Sequence, residues 1–398
     1  MGDRFDWDGP SVRLERHRRG WSQPDLAQKL QEASGDEGQG LPEREKLVST
    51  ISSWENERAR PGDKYQRLLV GAIGVRRRPA LESEEYRQLL VVPEVDTGSD
   101  EATLRIRFQK ATSLTAEEKA QLIQATGELR SLDRRGNDPD TVASMHAHVE
   151  TLHVLLTDTF NPADRLVLAR TLGDAEAIAG WSALDRGRPR ESLTHLTSAV
   201  AVAAFGEDRS LQVFASAQRA FVLIDLGEYQ QAEDLVRELL ALHRRSLPSG
   251  LIAWLFGALA EAAAMNRNGA LCKDALDRGR KMLERGEPGD EHPYVVLNEG
   301  HFTRWEGSCL AKLGDPEAVD LLDHVRRDIP PSFDRALGGV LVDLLQAYIA
   351  QDELEAARAV FEVATATAGT VGSVRQLNRL RALRTELVAR IDTRVPAV

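Results

Sequence analysis

Apolar positions recur along this chain at helical rather than strand spacing. Leu26, Ala27 and Leu30 form a stripe at i, i+1, i+4, and Val48, Ile51 and Trp54 return every three residues. Ahead of the first stripe Ser22 can cap a helix, Pro24 suits its first turn, and Asp25 completes a capping box. Thr115-Ala116-Glu117-Glu118 repeats that device and predicts a helix to about Leu132. Val12 to Arg19, Tyr65 to Ile73 (Leu68, Leu69 and Ile73 inward) and Leu81 to Leu90 read as further helices. Between the two stripes, Gln31 to Lys46 carries Gly35, Gly38, Gly40 and Pro42 and reads as a long surface loop. Glu94 to Ala102 reads as a linker, and Arg134 to Asp140 as a break. Thr103 to Phe108 alternates apolar and basic residues, which fits either a short strand or the start of a helix.

From about Thr141 onward a second pattern takes over. Trp181-x-x-Leu184-x-x-Gly187 leads to Ser192; Leu223-x-x-Leu226-Gly227 leads to Ala232. Leu310-x-x-Leu313-Gly314 leads to Ala318, and Tyr348-x-x-Gln351-Asp352 to Ala356, with a blurred copy at Ala262 to Leu276. Each unit is a helix, a turn and a second helix opening near a small residue. Those small residues lie 40, 86 and 38 apart, the middle gap being two intervals of 43. Leu377 to Ile391 reads as a capping helix, polar on its outer side. The expected organisation is a head at 1–79, a helical connector at 80–140 and a repeat domain at 141–398.

Composition narrows the class. With 398 residues the chain can bury a substantial core. No apolar run approaches the ~18 residues of a membrane helix, and no secretory signal opens the chain, so the expected location is cytoplasmic. Two cysteines, Cys272 and Cys309, read as buried thiols. The net charge of −11 is unevenly spread: residues 1–78 hold 15 Lys and Arg against 13 Asp and Glu, the remainder 36 against 49. Arg13, Arg16, Arg18, Arg19, Arg58, Arg60 and Arg76 to Arg78 cluster in the head, a distribution compatible with a phosphate-binding patch on an acidic protein.

Trp21-Ser22-Gln23-x-x-Leu26-Ala27, followed by Val48-Ser49-Thr50-Ile51-Ser52-Ser53-Trp54-Glu55 and Arg58-x-Arg60-Pro61, resembles the Cro/C1-type helix-turn-helix family, also called the xenobiotic-response-element family. The resemblance covers about a sixth of the chain, and its usual tight turn is replaced here by the long loop. It implies that Val48, Ser49, Thr50 and Ser53 face base edges, that Gln23 meets phosphate, and that Asn56, Arg58 and Arg60 lie where the chain leaves the groove. Trp54, continuing the apolar stripe, is expected in the core. The later units resemble tetratricopeptide repeats, best at Ala217 to Leu240. The expected fold is therefore all-α: a helix-turn-helix domain followed by a right-handed tetratricopeptide-like α-solenoid. The two resemblances together imply a transcriptional regulator that binds double-stranded DNA as a homodimer, with a peptide, small molecule or protein effector on the repeats.

Residues on the presumed first helices of the repeats, Arg219, Trp254, Asn298, Arg304 and Trp305, are the candidate ligand contacts. The series Trp181, Trp254, Trp305 and Tyr348 otherwise reads as repeat core. His146, Glu150 and His153 share one helical face, but no second cluster supplies ligands and the His-Glu-x-x-His order is absent, so no metal is expected. No Gly-rich phosphate loop or nucleophile elbow marks an enzyme, and no cofactor is implied. The competing expectation is a repeat scaffold that sequesters a protein partner.

Overall fold

The computed structural model describes residues 7, 12, 13, 16, 19, 21–34, 41–56, 58–73, 100–112, 114–285, 294, 295, 297–329 and 334–394. Among these every regular element is a helix, and none is long and apolar enough to cross a membrane. The chain divides into two compact units, Met1–Pro79 and Ala80–Val398. The Leu81–Leu90 helix and most of the Glu94–Ala102 linker lie outside the described residues, as does half of Val12–Arg19.

The first unit contains α1 (Gln23–Ala33), α2 (Arg44–Glu55) and α3 (Asp63–Ile73). Helix α1 starts where Ser22 and Asp25 close a reciprocal capping box. Both α2 and α3 pack on α1 around Leu26, Leu30, Leu47, Ile51, Trp54 and Leu69. Helix α2 begins one turn earlier than its apolar stripe suggests, so the sequence-predicted loop loses Gln31–Ala33 to α1 and Arg44–Lys46 to α2. Leu47 rather than Val48 takes the deepest position of the α2 stripe, Val48 being half-buried. Glu55 is buried as well: Arg16 grips both carboxylate oxygens at 2.7 and 2.8 Å, and Gln23 donates to Oε2 at 2.8 Å. A paired, bidentate charge is the form in which an interior tolerates a carboxylate.

In the second unit, Thr103–Phe108 resolves as helix, within α4 (Asp100–Thr112). Next come α5 (Ala116–Asp133), entered through the Thr115–Glu118 capping box, and α6 (Pro139–Asp158). Five helical hairpins follow. They are α7 (Pro162–Asp185) with α8 (Pro189–Phe205), α9 (Arg209–Asp225) with α10 (Tyr229–His243), and α11 (Ser249–Met265) with α12 (Gly269–Glu284). Then α13 (Glu299–Leu313) pairs with α14 (Glu317–Asp328), and α15 (Asp334–Ala350) with α16 (Leu354–Val371), before the final α17 (Val374–Arg394). Each first helix packs on its own partner and on the first helix of the next hairpin, the stacking of a tetratricopeptide-like solenoid.

The hairpin turns share one backbone device. Gly187, Gly227, Arg267, Gly314 and Asp352 all adopt left-handed φ between 61° and 83°, at intervals of 40, 40, 47 and 38 residues. The blurred copy at Ala262–Leu276 is thus a true repeat whose turn carries arginine where glycine is the easier choice. A small buried residue follows five positions on: Ser192, Ala232, Cys272 and Ala357. In the tighter fourth turn Ala318 follows at four. The last repeat therefore places Ala357, not Ala356, at the helix crossing. At the α7–α8 crossing a Cβ on Gly180 would come within 2.8 Å of Leu196, so only glycine permits that approach.

The ends of the solenoid meet. Helix α17 packs on α7, and the N–H of Asn137, after α5, donates to Val371 O at 2.9 Å. Arg335 on α15 reaches back to Asp133 (2.7 Å), Asn137 Oδ1 (2.7 Å) and Asp185 (3.3 Å). Ser373 donates to Asp185 at 2.6 Å, and Arg375 pairs with Asp225 at 2.7 Å. The repeats form a closed turn of superhelix rather than an open arc.

Candidate functional site

In the first unit the polar edge of α2 presents Ser49 to solvent, with Thr50 and Ser53 partly exposed and Asn56, Arg58 and Arg60 exposed beyond the helix. Thr50 donates to Lys46 O, and Asn56 Nδ2 to Ser52 O. The N–H groups of Arg58 and Ala59 both close on Ser53 O, turning the chain away from the helix. Gln23, expected to meet phosphate, spends its amide N–H on Glu55, and Val48 packs against the core. Ser49, Thr50, Ser53, Asn56, Arg58 and Arg60 therefore remain the accessible part of the expected reading surface. Trp54 is core, edge-on to Tyr65.

In the second unit the solenoid curves around a half-open cavity of about 410 Å³, lined by the inner faces of the first helices together with α5 and α17. One wall is aromatic: Trp181, Phe214, Phe221, Trp254, Tyr294 and Trp305. Their rings form a continuous cluster with centroid separations of 4.8 to 6.2 Å. The tryptophans are half-buried: they pack against the repeat core, as expected, and line the cavity as well, while Tyr348 packs in the core without lining it. Of the sequence candidates, Trp254, Arg304 and Trp305 line the cavity together. Asn298 does not; it caps α13 by accepting from His301 N. Arg219 does not line it either, the inward position on α9 being its neighbour Gln218.

The opposite wall is charged. Lys312 lies between Glu261 at 3.4 Å and Asp343 at 4.0 Å and donates to Ser308 at 2.5 Å. Arg379 pairs with Asp343 at 2.6 Å, and Arg130 pairs with Asp174. Trp305 Nε1 donates to Glu261 at 2.7 Å, joining the two walls. At one end Arg304 and Arg134 lie close enough to His301 to disfavour its protonation. Burial first, then Arg304 and Arg134, bring His301 down to about 4. Burial likewise lowers the Arg304 guanidinium, Asp343 opposing, and lowers that of Arg134 with help from Arg130. Gln218 is buried with its Oε1 unsatisfied, and so is His301 Nδ1. Buried polar atoms without partners beside surplus cationic charge are groups a ligand can satisfy. Sequence reasoning missed Arg134, Gln218 and His301, because only the stacking of first helices shows which residues turn inward.

A third cluster lies outside the cavity. Glu176 on α7 is buried and accepts from His153 (2.6 Å), His195 (2.5 Å) and Ser198 (2.7 Å). Burial pushes this carboxyl up, but the three hydrogen bonds outweigh it and bring it to about 2. His146, Glu150 and His153, which share one helical face in the sequence, do not come together as a cluster. His153 turns to Glu176, while His146 stacks on His195 of α8 at 5.8 Å.

No family profile matches the sequence, and no curated protein matches it. Among solved structures, the chain is similar to a Rap protein complexed with Competence and Sporulation Factor, at 10% identity over 96% of this chain and 99% of that one, with a TM-score of 0.40. It is also similar to the P58(IPK) TPR domain, at 15% identity over 96% and 98%, with a TM-score of 0.22. Neither overlap is close enough to say what this chain binds.

Proposed function

We propose that the chain is a sequence-specific DNA-binding transcriptional regulator whose repeat domain holds an effector in its inner cavity. The head supplies Ser49 and Ser53 for base edges and Arg58 and Arg60 for phosphate. One short helix reads too few bases for useful specificity, so binding as a homodimer to a two-part operator is part of the reading. The observation that carries the effector half is the cavity, where an aromatic wall and paired charges accompany the unsatisfied Gln218 Oε1 and His301 Nδ1. A volume of about 410 Å³ falls within the ~300–1,000 Å³ of small-ligand sites. It favours a small molecule or a short peptide end with an anionic group over a folded protein partner. The test is selection from a random DNA pool by the purified full chain at defined salt, beside Arg58→Ala/Arg60→Ala and Ser49→Glu/Ser53→Glu. A two-part motif about one helical turn between half-sites, lost in both variants, supports the reading. Sequence-blind binding, or none, refutes it and leaves the repeats as the working part.

A further inference from the structure

We infer that His146, Glu191 and His195 form a binding site for a divalent transition-metal ion, zinc or its surrogates cobalt and nickel. Glu191 and His195 are one helical turn apart on α8 and so project from the same face. His146 reaches that face from α6, with its Nε2 3.5 Å from Glu191 Oε1. One nitrogen of each imidazole and one oxygen of Glu191 all lie within 4.8 Å of one another. An ion between them needs only small rotamer adjustments to reach bonds of about 2.0–2.2 Å.

The surroundings are those of a ligand set rather than a chance surface cluster. Glu176, buried on α7, holds His195 Nδ1 at 2.5 Å. That carboxylate fixes the tautomer and ring orientation, and leaves Nε2 of His195 with the lone pair a metal takes. Two imidazoles and a carboxylate are a borderline donor set, suited to zinc, cobalt or nickel and poorly suited to calcium or magnesium. Three protein ligands leave the fourth position of a tetrahedral ion to water.

Two cations oppose the ion. Arg186 pairs with the same Glu191 oxygen at 2.7 Å, and Arg188 with the other at 3.1 Å. An incoming metal must share or displace Arg186, so the arginine sets the affinity. His146 lies on α6 and the other two ligands on α8, helices that both pack on α7. An occupied site would tie α6 to α8 directly.

The test is titration of metal-free full-length protein with Co²⁺, read by visible d–d absorption, followed by displacement with Zn²⁺. One equivalent of cobalt in a low-symmetry site, displaced by zinc, is expected, with the thermal midpoint rising as zinc is added. His146→Ala and His195→Ala should abolish the spectrum while leaving the far-ultraviolet circular dichroism unchanged. Glu176→Gln, which removes an orienting group, should weaken binding about 10–100-fold. Arg186→Ala should tighten it, an outcome no purely structural role produces. Absence of stoichiometric cobalt binding overturns the proposal, as does binding that survives in both histidine variants. If a histidine variant misfolds, the Arg186→Ala and Glu176→Gln shifts in opposite directions decide, and no difference between those two also overturns it.

Discussion

Arg335 joins the two ends of the solenoid through Asp133, Asn137 and Asp185, and Arg335→Met is the perturbation that isolates it. The methionine keeps most of the stem volume and removes the guanidinium. Asp133, whose side chain is 9% exposed, then loses its ion partner at 2.7 Å, while Asp185 keeps Ser373 and Asn137 as hydrogen-bond donors. Breaking a buried pair by removing one partner costs about 3–5 kcal/mol, because the other charge stays uncompensated. The direction with pH follows from Asp133. Burial, partly offset by Arg335, already holds its folded pKa above the usual carboxylate value. Removing the arginine raises it further. A group whose folded pKa is raised binds more protons folded than unfolded, so the stability deficit grows as pH rises above about 3.9 through the raised value. Arg335→Met should therefore be more destabilised at pH 8 than at pH 5. An open repeat array unfolds by nearest-neighbour steps, whereas a latched ring couples first repeat to last. Urea unfolding at the two pH values, with amide hydrogen exchange over 334–394, reads both effects. A loss below about 1 kcal/mol, or one that shrinks as pH rises, would refute the reasoning.

Two further outcomes follow from single positions. A Cβ on Gly257 would sit 2.5 Å from the Trp305 ring, so Gly257→Ala should destabilise by about 1–3 kcal/mol and displace Trp305 from the cavity wall; tryptophan fluorescence and thermal unfolding report both. His148 is fully buried against Thr126 Oγ1, and burial brings its pKa to about 4. Its folded pKa lies below the unfolded 6.5, so its contribution is intact above pH 6.5 and is lost as pH falls toward 4. His148→Gln should flatten the stability–pH profile in that window by up to about 3 kcal/mol, and a profile unchanged from the parent would count against it.

What was legible in the sequence was local. The Ser22–Asp25 and Thr115–Glu118 boxes span three residues each, and their signal survives any tertiary context. The hairpin repeat was legible because each turn needs a left-handed residue and each crossing a small one. The exceptions have physical causes: Arg267 hides a turn because a non-glycine accepts positive φ there, and Asp352 marks its turn while the crossing falls at Ala357, one residue later than expected. The strand-like alternation at Thr103–Phe108 failed for the opposite reason, since six residues are too few to separate a period of two from 3.6. Nothing local announces Arg335 meeting Asp133 across 202 residues, nor Arg16 meeting Glu55. The His146 cluster shows the same limit: one helix suggested the partners, and a different helix supplied them.

Closure also bounds how the proposed effector could act. A ligand shifts an equilibrium between latched and open repeats only by its differential affinity for the two. Opening sacrifices the Arg335, Ser373 and Arg375 contacts, and the Arg335 share alone is about 3–5 kcal/mol, or some two to three and a half decades in equilibrium constant. A ligand inside the cavity touches groups coupled to that latch, since Asp133, Asp185, Arg335 and Arg375 line it. An anion drawn to Arg304 and Arg134 that also engages Arg335 would compete with Asp133 and loosen the ring. One that engages only the aromatic wall would leave the latch intact. Effectors of the first kind should therefore speed hydrogen exchange over 334–394, while one of the second kind should leave it unchanged and so bind without signalling through the ring.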